Sequence, residues 1–268
     1  MRFEAREPAE AINYSRDHPL RELAVLLAAA VAGLAALFYG LGVVGELAAA
    51  RIPPAWEARL FGGDWFEAGA ASDRSTALER LVADLAAQWP GNPYDLRVRL
   101  LEDETPNALA LPGGVIVVTT GLTKGAESEN ELAFVLAHEL GHFANRDHLR
   151  AMGRAAARQA ALGLFGQALG LDSPLTELVE ALSERSFSRG QERQADRFAL
   201  ELVAGLYGHV GGATAFFERM ADEAGSSTEV AQFFSTHPLS RDRVDAIEEV
   251  AQARGWPLEG ALRPPLVE

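Results

Sequence analysis

Residues Ser128 to Arg150 read SENELAFVLAHELGHFANRDHLR, and this stretch decides how the rest of the chain is organised. Ser128 followed three residues later by Glu131 is a capping-box signature, and Leu132, Val135, Leu136 and Leu140 recur at helical spacing. The stretch therefore predicts a helix. Residues four apart share one helix face, so His138 and His142 present both imidazoles to a single ion. Glu139 stands beside that face, where it can take a proton from water. The H-E-x-x-H spacing implies one Zn2+ per chain. The plainer alternative, two polar residues on a half-buried helix, leaves the five-residue coincidence unexplained.

A catalytic zinc site takes three protein ligands and keeps a fourth position open, so another ligand must come from elsewhere. His148 follows His142 by six residues, the spacing of the longer pattern H-E-x-x-H-x-x-G-x-x-H. Asn145, however, stands where that pattern turns the chain with Gly. The rival is the segment Ser188-Arg189-Gly190-Gln191-Glu192-Arg193-Gln194-Ala195-Asp196. There Glu192 and Asp196 share one helix face, giving one carboxylate for a metal and a second to support it. A solvated helix with Arg189, Arg193 and Arg197 as charge partners is the competing interpretation at this point.

Four segments in this order carry a resemblance: Asn107-Ala108-Leu109-Ala110-Leu111-Pro112-Gly113-Gly114, His138-Glu139-Leu140-Gly141-His142, the Ser188 to Asp196 segment, and Thr236-His237-Pro238. Together they resemble the gluzincin family of the CAAX prenyl endopeptidases, HtpX and the Oma-type peptidases, and are most similar to the single-span Oma-type members. The likeness covers about residues 72 to 252. It implies a zincin-like metallopeptidase domain, mainly α with a small β-sheet (α+β). It also implies that Glu192 is the third zinc ligand, that Asp196 orients a ligand His, and that His148 binds no metal.

Two further site assignments rest on residues and resemblance together. Asn107, Ala108, Leu109, Ala110 and Leu111 form a candidate edge strand, along which an extended substrate can pair its backbone with little dependence on sequence. On the residues alone, an ordinary edge blunted by Pro112 explains them equally well; the resemblance favours substrate binding. His237 lies in a polar segment between two helices, and Pro238 restricts it to extended conformations. The resemblance puts its ring in the zinc cleft, as an oxyanion donor or as a block on the open metal position.

The chain has 268 residues, of which 48% are hydrophobic, enough for one large domain and an accessory segment. A net charge of -14 argues against nucleic acid as a partner, because phosphates would be repelled. The absence of Cys excludes disulfides and thiolate metal sites. Leu23 to Gly45 carries no charge over 23 residues. As a helix this is about 34 Å, against a hydrocarbon core of about 30 Å. It predicts one span through a lipid bilayer, since a signal-peptide core of that length would be unusual. Arg2, Arg6, Arg16 and Arg21 precede the span and only Arg51 and Arg59 follow closely, which places the tail in the cytoplasm and the domain on the periplasmic side of a bacterial inner membrane.

The remaining chain supplies the frame. A polar tail (1–22) and the span (23–45) lead to a connector (46–71) in which Pro53-Pro54 ends the membrane segment and Trp56, Trp65 and Phe66 suit an interface. The domain (72–255) opens at Ser72 or Asp73 with Leu78, Leu81, Val82, Leu85 and Trp89 on one helix face. Strands are predicted at Leu96 to Leu101 and Val115 to Thr119. Gln159 to Leu171 is too short to span and predicts a buried or membrane-resting helix. Helices follow from Ser173-Pro174, from Glu192 to about Tyr207, within Gly211 to Gly225 with Phe216, Phe217 and Met220 as core, and from Ser240 to Arg254. A Pro-rich tail (256–268) closes the chain. Nothing in the sequence sets an oligomeric state. The implied function is a membrane-anchored zinc endopeptidase acting on extended or misfolded polypeptides, with a zinc-containing, chaperone-like binding module as the alternative that retention of Glu139 disfavours.

Overall fold

A computed structural model of the chain describes residues 19–61, 73–169, 187–215, 218–219, 237 and 241–266. Apolar spacing and caps account for most of its helices. The elements run α1 (Pro19–Ala49), α2 (Pro54–Phe61), α3 (Asp73–Ala87), β1 (Arg97–Leu101), β2 (Ala108–Leu111), β3 (Val115–Thr119), α4 (Thr120–Gly125), α5 (Glu129–Ala144), α6 (Asp147–Leu169), α7 (Arg189–Tyr207) and α8 (Arg241–Arg254). The architecture is mostly helical with a small three-stranded sheet, as the pattern predicted.

The sheet has the order β1-β3-β2, with β1 parallel and β2 antiparallel to the central β3. Register pairs Val98 with Ile116, Ala110 with Ile116 and Ala108 with Val118, so these side chains share one face. That face packs with Leu78, Leu85, Leu132, Leu136 and Leu140 in a single core. β2 is therefore an edge strand, although Asn107 lies just outside it. Asn107 still pairs with Thr119, accepting at its carbonyl from Thr119 N at 3.0 Å and donating N–H to Thr119 Oγ1 at 2.8 Å.

The helix α5 is buried from Asn130 to Phe143, which its long apolar run requires. At its start Ser128 Oγ accepts from Glu131 N at 3.2 Å. The reciprocal half of the capping box is absent, since Glu131 Oε2 instead accepts from Glu127 N at 3.1 Å and from Arg219 Nη2 at 2.6 Å. The complete box is at Ser188, which exchanges bonds with Gln191 at the head of α7. Where α5 crosses α7, a Cβ on Gly141 would stand 2.7 Å from Ala195 Cα, so only glycine permits this approach.

Several expectations need correction. The apolar helix extends beyond residues 23–45 at both ends. The helix runs from Pro19 to Ala49 because backbone hydrogen bonding continues through Arg21, Glu22 and Glu46, which flank the uncharged stretch. Most of its large side chains, from Leu20 to Leu37, are exposed, which fits a lipid environment rather than water. Its last turns pack antiparallel on α6, with Gly45 against Gly153 and Glu46 paired with Arg154 at 2.8 Å. The apolar run from Gln159 is the last part of α6 and not a separate helix. The connector contains a helix, α2, begun by Pro54 in the first-turn position that tolerates proline. The C-terminal segment is strapped down, with Arg263 N donating to Asn130 Oδ1 at 2.9 Å and Glu129 N to Arg263 O at 3.1 Å. Predictions for residues 1–18, Trp65, Phe66, Ser72, the helix from Ser173-Pro174, Phe216, Phe217, Met220, Thr236 and Pro238 fall outside the described residues.

Candidate metal centre and active site

The helix α5 carries His138, Glu139 and His142, while α7 carries Glu192 and Asp196. The α5–α7 crossing brings the two groups face to face, and all five residues are buried. His138 Nε2 and His142 Nε2 stand 3.1 Å apart. Behind them, His138 Nδ1 donates to Asp196 Oδ1 at 2.9 Å and His142 Nδ1 to Asp147 Oδ2 at 3.0 Å. A carboxylate fixes each Nδ1 as the protonated nitrogen, so both neutral rings would aim lone pairs at the same point. Two acceptors so close repel unless a cation or a proton lies between them. This donor set fits a metal ion.

The electrostatics agree. Burial opposes charge on His142, but Asp147, Glu192 and Glu139 overcome it and push the ring up to about 9. Burial, helped by Arg243, holds His138 below its ordinary value against the pull of Glu192 and Asp196. One ring thus keeps a proton that the other can accept, in the place a metal would occupy.

Glu192 stands 3.5 Å from both Nε2 atoms, Oε2 from His138 and Oε1 from His142. Its burial would raise its pKa, yet the rings of His138, His142 and His237 hold it well below the carboxylate range. His237 is also brought in, with Nδ1 3.2 Å from His138 Nε2 and 3.3 Å from Glu192 Oε1, and Nε2 3.5 Å from Glu139 Oε1. Ligand atoms of His138, Glu139, His142 and His237 all lie within 4.8 Å of one another. On the other side, Glu139 Oε2 accepts from Ala110 N at 2.9 Å. The N–H of Ala110 thus points away from β3 and into the site, and the strand Ala108–Leu111 borders the Glu139 carboxylate.

His148 does not join them. After Asn145 the chain turns at Arg146, whose φ of 58° is left-handed, and α6 starts at Asp147. This carries His148 away, to bond Glu57 Oε1 at 2.7 Å.

Among the described residues, four that are absent from the sequence-based site surround it. Asp147 orients His142, and Gln191 Nε2 holds the other Asp147 oxygen at 2.7 Å. Arg243, on α8, donates from Nε and Nη2 to the two oxygens of Asp196, both at 2.7 Å, and lies 2.6 Å from Glu192 Oε2 through Nη1. Phe187 stacks on His142 with ring centres 3.9 Å apart and planes at 19°. Asp147 sits five residues after His142 and offered a signal; Arg243 had only its place in an amphipathic helix.

Residues 72–251 match peptidase family M48. The chain is 30% identical to a putative beta-barrel assembly-enhancing protease of Vibrio cholerae, across 59% of this chain and 34% of that protein. It is 33% identical to the mitochondrial metalloendopeptidase OMA1 of Schizosaccharomyces pombe, across 65% of this chain and 51% of that one. With the metalloprotease LoiP of Escherichia coli it shares 31% identity, covering 70% of this chain and 75% of LoiP. The match thus spans about a third to a half of the first two relatives.

Proposed function

This chain belongs to peptidase family M48, and from that premise we propose that it is a zinc endopeptidase, anchored by one membrane helix, that cleaves extended or misfolded polypeptides close to the bilayer. The observation that carries this reading is the convergence of His138, His142 and Glu192 on one point, with Glu139 between that point and β2. His138, His142 and Glu192 would hold the zinc, with Asp196 and Asp147 orienting the rings. When bound, zinc supplies a Lewis acid that polarises the scissile carbonyl and makes water more acidic.

The protein's own groups do the rest. A substrate would lie extended along residues Asn107 to Leu111, pairing its backbone with the outer side of β2, a mode of binding with little sequence preference. Glu139 takes the proton of the attacking water and returns it to the leaving amine. Residues 72–255 would be the catalytic unit, and the Arg bias around α1 supports a location on the periplasmic side of a bacterial inner membrane.

The His237 ring stands within 3.3 Å of both His138 Nε2 and Glu192 Oε1, which supports a blocking role for it in the resting enzyme. His237→Ala then raises basal cleavage. A loss of turnover would instead assign it to oxyanion stabilisation, and unchanged kinetics would exclude both roles.

The function is tested with full-length protein in detergent, supplied with zinc and an unfolded polypeptide. The wild type should bind one zinc and cleave. Glu139→Gln should keep the zinc and lose cleavage, because the base is removed and the ligands remain. Undiminished cleavage by that variant would overturn the mechanism.

A further inference from the structure

Glu57 is a fully buried carboxylate that the proposed chemistry does not use. It lies on α2, the short helix following the membrane segment. Its Oε1 accepts from His148 Nε2 at 2.7 Å and from Gly113 N at 3.0 Å. Its Oε2 accepts from Tyr94 OH at 3.4 Å and faces Arg146 Nη2 at 3.3 Å. Arg146 also donates from Nη1 to Tyr94 OH at 3.2 Å and from Nη2 to the carbonyl of Ile52. One side chain thus joins α2, the loop before β1, the β2–β3 turn and the start of α6.

A carboxylate is buried at a cost of several kcal/mol unless its oxygens are engaged, and here both are. Burial alone would raise its pKa, but the hydrogen bond and charge of His148, with Gly113 N–H and Arg146, bring it below the ordinary value. The places it grips are specific. Gly113 (φ 88°) and Gly114 (φ 82°) form a left-handed turn one residue, Pro112, beyond Leu111, the last residue of β2. Neither glycine has a side chain with which to fix the turn. At the other end, Arg146 and His148 follow directly on the helix that carries His138 and His142.

We propose that Glu57 is a positioning residue for substrate: from the membrane-proximal helix it fixes the β2–β3 turn, and through it the edge strand, against the catalytic helix. This rests on the reading of β2 as the substrate strand. The membrane stem is then part of the substrate-binding apparatus and not a tether.

The test uses the full chain in detergent, zinc-loaded, with an extended peptide. Glu57→Gln should raise KM about tenfold while kcat stays within about twofold, because ground-state alignment is lost and the base and ligands are untouched. Zinc stoichiometry should be unchanged. Amide exchange over residues 108–114, measured without substrate, should speed up about tenfold while α7 is unaffected. A paired variant guards against a folding failure of the first: His148→Leu removes a donor and should repeat the defect, whereas His148→Gln, whose amide can still donate, should restore KM. Unchanged KM and exchange in folded Glu57→Gln overturns the proposal. So does a joint loss of kcat, zinc and melting temperature, which marks Glu57 as structural only. A wild type that cleaves nothing sinks the peptidase reading instead, and the exchange measurement still decides whether Glu57 holds the strand.

Discussion

His138 and His142 differ in what stands behind them. Asp196, backing His138, is itself gripped by Arg243 through two bonds of 2.7 Å, whereas Asp147, backing His142, is held by a single neutral amide, Gln191. The first support is charge-assisted and rigid, and the second depends on the capping box that fixes Gln191. Asp147→Ala should therefore lower zinc affinity about 10- to 100-fold while leaving the ligands in place. Glu192→Ala should weaken binding further, since it removes a ligand, and His148→Ala should have little effect on it. Competition against a chelator of known affinity ranks the three. Equal losses for His148→Ala and Glu192→Ala would return His148 to the ligand set and refute the assignment.

The crossing of α5 and α7 brings His138 and His142 to Glu192, and Gly141 controls how closely the two helices approach. Adding a methyl there meets Ala195 Cα at 2.7 Å and Ala195 O at 2.9 Å, backbone atoms that cannot move aside alone. Gly141→Ala should destabilise the fold by about 1–3 kcal/mol and spread His142 from Glu192, visible as a lower melting temperature together with weaker zinc binding. A variant as stable as wild type would show that the crossing is looser than it looks. The same elements explain what sequence revealed. α5 was legible because cap, apolar period and both candidate ligands, His138 and His142, lie within one local run, and β3 because all five of its residues, Val115 to Thr119, are β-branched. The apolar helix α1 was legible but its ends were not, because charged residues flanking an apolar run do not mark where helical hydrogen bonding stops. Arg243 and Glu57 were invisible for another reason: their partners lie 47 and 91 residues away, and no periodicity encodes such pairings.

Three buried carboxylates, Glu57, Glu192 and Asp196, are all held below their ordinary values, in each case because cationic or hydrogen-bonding partners outweigh burial. They join the membrane-proximal helix, the metal centre and α8, so the molecule as a whole has a common weakness to acid. For a carboxylate whose folded pKa is depressed, the unfolded chain takes up the proton first as pH falls. Stability is thus complete above the ordinary range, near 4.5 for Glu and 3.8 for Asp, and is lost progressively below it. Chelated protein isolates this effect, since metal release would otherwise add its own loss as Glu192 protonates. Denaturant titrations of metal-free protein in detergent, run from neutral pH down into the acid range, should show unfolding free energy falling first below about pH 6.5, where the depressed His138 resists its proton, and more steeply below about pH 4.5 as the carboxylates titrate. Glu57→Gln removes one of the three groups, so its descent should be shallower by up to about 1.4 kcal/mol per pH unit. Its stability at neutral pH should be lower than wild type, because a neutral amide cannot satisfy Arg146 and His148 as the carboxylate does. The two curves should therefore converge as pH falls. Parallel curves would mean that Glu57 titrates alike in folded and unfolded chains, and that its burial among His148, Arg146, Tyr94 and Gly113 does not hold the stem to the catalytic domain.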